Sequence, residues 1–137
     1  MSTPEPRTAR SLRILYVEDD FNLRSVVAAF LRGRTHRVET APDGAEGLQM
    51  VTTAAATVGG SYDVLITDLV MPEMDGVSLI RNLREAEIRL PVVVYSNFLT
   101  PECSQELAAL PVQAIIPKGT RPELLASTVT RVAGLTW

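Results

Sequence analysis

Five short apolar runs punctuate this chain, and each is followed by a turn and a stretch with helical spacing of apolar residues. That alternation constrains the fold more than any other feature, because strands separated by helices pair as parallel neighbours with helices laid over both faces. The runs cover residues 13–17, 37–40, 62–67, 91–96 and 112–116. Between the first two, Leu23, Val26, Val27, Phe30 and Leu31 recur at one-face helical spacing, with Gly33 as a plausible stop. Asp43 and Glu46 form an approximate capping box for a second helix, which is expected to fray into the small-residue segment 52–60. Asp75 reads as the N-cap of a third helix, with Val77, Ile80 and Leu83 facing inward. Thr100-Pro101 opens a fourth helix, with proline at its tolerated first position. Thr120 and Glu123 are expected to cap a fifth, whose apolar stripe is Leu124, Leu125, Thr128 and Val132.

Composition narrows the class. The 137 residues are 46% hydrophobic with a formal net charge of −3, which fits one soluble domain with a proper core. No basic stripe argues for direct nucleic-acid binding, and no apolar stretch approaches the ~20 residues of a membrane span. The single cysteine, Cys103, has no partner for an internal disulfide and fits a reducing, cytoplasmic compartment. Residues 1–10 read as a disordered lead and 11–137 as one domain, with no internal repeat or linker. Of thirteen Lys and Arg residues only Lys118 is lysine.

The chemistry-bearing residues fall at the ends of the apolar runs. The first ends in Glu18-Asp19-Asp20 and the third in Asp68. The fourth ends in Ser96, and the fifth is followed by Lys118. In an open parallel sheet the C-terminal strand ends are where ligands bind. Three consecutive acids at one tip repel each other unless a cation neutralises them. Magnesium takes oxygen ligands and keeps several waters, so one or two carboxylates suffice. Asp20 reads instead as a helix cap.

The segment Tyr62-Asp63-Val64-Leu65-Ile66-Thr67-Asp68-Leu69-Val70-Met71-Pro72-Glu73-Met74-Asp75-Gly76 resembles the phosphoacceptor segment of receiver (response-regulator) domains of two-component signalling. The resemblance runs from about residue 12 to residue 134. It implies a doubly wound, flavodoxin-like α/β fold with five parallel strands in the order 2-1-3-4-5. Asp68 resembles the phosphoryl acceptor, and Glu18 and Asp19 resemble the acid pair that binds Mg2+, with Asp68 and the Val70 carbonyl as further ligands. Ser96 stands at the switch hydroxyl and Lys118 at the lysine that pairs with the phosphoryl group.

Four positions depart from the family pattern. Gly119 follows the lysine where proline is usual, Ile115 stands at the aromatic switch position, Asn97 follows the hydroxyl, and Val70 lies two residues after the acceptor. The first two bear on output and the last two on phosphoryl lifetime. His36 reads as a surface residue, and Trp137 as an edge cover or tail.

The resemblance implies a phosphorylation-controlled switch rather than a metabolic enzyme. Phosphoryl would arrive from a histidine kinase or histidine phosphotransfer protein, and the output would be changed binding to a downstream protein effector. With no further domain after Trp137, that effect is expected to pass through a partner, the chain being a monomer or weak dimer. The alternative is a degenerate receiver acting as a constitutive protein-binding or dimerisation module. A dehalogenase-type phosphatase is disfavoured, since it needs a second aspartate where Val70 stands.

Overall fold

The computed structural model describes residues 11–97 and 99–134, so the expectations for residues 1–10 and for Trp137 lie outside the described residues. Its strands are β1 (Arg13–Val17), β2 (Arg37–Ala41), β3 (Val64–Thr67), β4 (Val92–Tyr95) and β5 (Ala114–Ile116). Its helices are α1 (Phe21–Gly33), α2 (Gly44–Ala55), α3 (Gly76–Glu85), α4 (Pro101–Ala109) and α5 (Pro122–Ala133). All strand pairs are parallel, in the expected order β2-β1-β3-β4-β5.

Alternate residues along a strand face opposite sides of a sheet, so two apolar cores result. Leu15, Val17, Leu65, Val92 and Val94 pack with α2, α3 and Leu107 of α4 on one side. Ile14, Tyr16, Val64, Ile66, Val93, Tyr95 and Ile116 pack with α1 and α5 on the other. Both faces being covered explains why the central strands read as unbroken apolar runs rather than alternating ones.

Register then fixes the site. Val17 pairs with Thr67, so Glu18 and Asp68 leave neighbouring strand tips together. Tyr95 pairs with Ile116, and the Ser96 amide donates to the Ile116 carbonyl at 3.0 Å. Helix α3 can approach the β3 tip only because its first residue is Gly76, where a Cβ would overlap the Asp68 carbonyl oxygen.

Three N-caps stand as expected. Asp43, Asp75 and Thr100 accept from the amides of Glu46, Ser78 and Cys103. Asp20 likewise accepts from the Leu23 amide at 3.1 Å.

Several expectations are corrected. Thr120 does not cap α5: its hydroxyl donates to the Pro117 carbonyl at 2.7 Å, and the helix begins later, with Arg121 at the N-cap and no side-chain bond. That start leaves Leu124 about half exposed, and the buried stripe is Leu125, Thr128, Val129 and Val132. In α1 Val26 is exposed, and Ala28 is buried with Val27 and Leu31. Successive helical residues sit about 100° apart, so a stripe centred on Val27 and Leu31 turns Val26 outward. Residues 52–55 remain helical rather than fraying, and β5 is shorter than the run that announced it.

His36 is the largest correction. It is 6% exposed, and its Nδ1 accepts a hydrogen bond from the Leu12 amide at 3.1 Å. The imidazole thereby supplies the acceptor for a backbone donor at the N-terminal end of β1. Burial, helped by the Arg34 charge, pulls its pKa below the usual histidine value.

Candidate functional site

Lys118, two residues past the end of β5, lies against the tips of β1 and β3. Its Nζ lies 2.6 Å from Asp68 Oδ2 and 2.8 Å from Glu18 Oε1. Both acids are buried, Glu18 completely and Asp68 to 3% exposure. Two carboxylates in so enclosed a place repel each other, and the shared ammonium is what offsets that repulsion here. Burial alone would lower the pKa of Lys118, but the bonds to Asp68 and Glu18 outweigh it and raise it. Glu18 also shifts upward although it is ion-paired, because its burial and the Asp68 charge outweigh one ammonium divided between two acids.

Glu18 is held on every side. Oε1 accepts from the Tyr16 hydroxyl at 3.3 Å as well as from Lys118, and Oε2 accepts from the Asp20 amide at 3.1 Å. Arg24 donates from α1 to the Glu18 carbonyl at 2.7 Å. Burial first, then the charge of Glu18, push the Tyr16 phenol far above its ordinary pKa, so it remains a protonated donor. Asp68 Oδ1 accepts from the Leu69 amide at 2.7 Å, which orients the carboxylate on its own backbone.

Asp19 is exposed beside this pair, and ligand oxygens of Glu18, Asp19 and Asp68 lie within 4.8 Å of one another. The set is all oxygen, open on one side and anionic. Those are the properties that suit a hard divalent cation retaining part of its water shell, so the residues present fit Mg2+.

Of the sequence-predicted residues, Glu18, Asp19, Asp68 and Lys118 come together directly. Ser96 is buried at the β4 tip, directly after Tyr95. Val70 turns a side chain that is 56% exposed outward beside the site, and Asn97 is exposed. Sequence reasoning missed Tyr16 and Arg24. For Tyr16 a signal existed: a tyrosine inside an aliphatic strand must find a partner for its hydroxyl.

The profile of the response regulator receiver domain family matches residues 14–130. A gliding motility regulatory protein of Myxococcus xanthus is 33% identical over 127 residues, covering 90% of this chain and 16% of that protein. The sensor kinase CckA of Brucella abortus is 31% identical over 119 residues, covering 87% of this chain and 12% of the kinase. The chain thus spans under a fifth of the length of either relative. Among solved structures, the chemotaxis protein CheY4 of Vibrio cholerae is 30% identical with a TM-score of 0.78, covering 90% of this chain and 99% of that one.

Fold, site and profile together define a signalling domain of the doubly wound α/β class. This chain belongs to the response regulator receiver domain family of two-component signalling, whose general function is that of a phosphorylation switch. Among the described residues no helix is long and apolar enough to cross a membrane.

Proposed function

We propose that Asp68 accepts a phosphoryl group from the phosphohistidine of a histidine kinase or a histidine phosphotransfer protein. A carboxylate oxygen of Asp68 attacks phosphorus as the P–N bond breaks. The bonding pair stays on the imidazole nitrogen, and a mixed anhydride forms on Asp68. Mg2+ held by Glu18, Asp19 and Asp68, with the Val70 carbonyl as a further ligand, would supply the positive charge that lets an anion approach a carboxylate. Lys118 and Ser96 donate to the transferred oxygens.

The observation that carries this reading is the ammonium of the sole lysine lying against the β3-tip aspartate and its acidic neighbour. The groups serve the chain's own phosphorylation and dephosphorylation, so this is a switch and not a metabolic enzyme. The added charge redirects Lys118 and Ser96 and shifts the population of the α4–β5–α5 surface, which a downstream protein effector reads. A phosphohistidine donor and a single free cysteine agree with a cytoplasmic setting.

Intact-mass spectrometry after treatment with acetyl phosphate and Mg2+ tests the reading. One phosphoryl adduct is expected, lost in Asp68→Asn. An adduct that persists in that variant, or none in the parent protein, would point to the degenerate, constitutive binding module instead.

A further inference from the structure

The Glu18 carboxylate receives three donors, and only one of them comes from outside the strand-tip machinery. Lys118 approaches Oε1 at 2.8 Å and the Asp20 amide approaches Oε2 at 3.1 Å. The third is the Tyr16 hydroxyl, 3.3 Å from Oε1. Tyr16 is completely buried in the core beneath α1 and α5, two residues back on the same strand, with Glu18 as its hydrogen-bond acceptor.

A carboxylate has about four lone-pair positions, and each donor seated on one takes electron density from a cation that would use the others. Tyr16 and Lys118 share Oε1, so the phenol fixes the rotamer in which that oxygen points at the ammonium. We propose that Tyr16 is a positioning residue for the acid cluster: it commits Glu18 to Lys118 and so weakens the cluster's hold on Mg2+. The proposal rests on the reading of Glu18, Asp19 and Asp68 as a magnesium site. It adds a residue whose ring lies in the core and whose hydroxyl sets how readily the lysine and the metal exchange influence over Glu18.

The composition provides the probe. Lys118 is the only lysine, so protein grown with lysine labelled at Cε shows one lysine side-chain resonance, lying at the site itself. Tyr16→Phe keeps the ring and removes the donor. Magnesium titrations followed by that resonance and by calorimetry should give binding about fivefold tighter in Tyr16→Phe, the scale of one ordinary hydrogen bond. In a Glu18→Ala background, which leaves the phenol no side-chain acceptor at this position, the same change should have no effect on Mg2+, since the cycle isolates the coupling between the two residues. Tyr62→Phe removes a hydroxyl bonded to Glu39 at 2.9 Å, far from the strand tips, and should leave the midpoint unmoved.

Equal midpoints for the parent protein and Tyr16→Phe, or weaker binding in the variant, would overturn the proposal. So would a Tyr16→Phe effect that persists in Glu18→Ala, which would mark general loosening of the core. Failure of the underlying reading looks different: the parent protein would bind no Mg2+, or Asp19→Asn would bind it as well as the parent does.

Discussion

Lys118 Nζ and Asp68 Oδ2 stand 2.6 Å apart although 50 residues separate them in sequence. The same ammonium reaches Glu18, so one positive charge offsets two buried negative ones. Removing it leaves both acids uncompensated. Lys118→Met is therefore expected to lose about 3 kcal/mol at pH 8, the scale for breaking a buried pair. Without the ammonium nothing from Lys118 opposes the burial and the Asp68 charge that raise the Glu18 pKa, so Glu18 holds its proton still more tightly in the folded than in the unfolded chain. Stability of the variant should consequently recover as pH falls towards 5, and also when Mg2+ is added. Urea unfolding at pH 5.5 and 8, with and without Mg2+, checks this. A loss that is the same at both pH values would show that charge repulsion is not its cause.

Gly76 sets how closely α3 approaches the acceptor. A Cβ at this position would meet the Asp68 carbonyl and the Leu69 Cα, both backbone atoms that cannot swing away. Gly76→Ala should cost about 1–3 kcal/mol by overpacking and should also slow phosphorylation by shifting the Asp68 backbone. Denaturant unfolding and acetyl phosphate kinetics measure the two effects. Normal stability in this variant would mean that α3 can move outward freely.

His36 should make stability depend on pH in the opposite sense to a salt-bridged lysine. Its folded pKa is lowered by burial, then by Arg34, so the unfolded chain binds the proton first as pH falls. Its contribution is complete above the ordinary histidine value of about 6.5 and is lost as pH drops through that value towards the lowered one. Glu18, with a raised pKa, acts in the reverse direction at lower pH. The difference between the parent protein and His36→Gln isolates the histidine. Parallel stability curves for the two between pH 5 and 7.5 would contradict it.

Val70 bears on phosphoryl lifetime. Its exposed, branched, apolar side chain stands two residues beyond Asp68 and cannot orient an attacking water. Val70→Asn or Val70→Glu should therefore speed decay of the phosphorylated chain several-fold, about a kcal/mol in barrier height. Loss of the adduct followed by mass spectrometry gives the rate. An unchanged decay constant would remove Val70 from the control of hydrolysis.

Gly119 directs attention to the loop after the lysine. It adopts φ +90, a region open to glycine and strained for other residues, and no neighbouring atom lies near the position a Cβ would take. Ile115 is 42% exposed and has no polar ring to exchange between inside and outside. Changes in amide hydrogen exchange on adding beryllofluoride should therefore concentrate in Lys118–Thr120. Protection that stays constant there while changing elsewhere would assign the switch to another segment.

Much of this was legible from the chain alone. Five apolar runs alternating with helical spacing imply a parallel sheet covered on both faces, and the N-caps Asp43, Asp75 and Thr100 follow from local chemistry. Asp20 could be separated from its two acidic neighbours because a cap needs only the amides of its own first turn. The convergence of Glu18, Asp68, Ser96 and Lys118 on one end follows once each is seen to end a strand.

Tertiary packing decided the rest. Whether Val26 or Ala28 faces the core depends on where neighbouring elements lie, and spacing alone permits both. His36 reads as a surface residue because its partner, the Leu12 amide, is 24 residues away. Thr120 has the right chemistry for a cap, but both its hydroxyl and its amide donate to the Pro117 carbonyl in the turn around Lys118. The sequence by itself determined which residue types stand at the strand tips, because period and turn chemistry are local. Only the folded sheet decided that one ammonium serves two acids and that Tyr16 holds one of them, because those distances depend on register between strands distant in sequence.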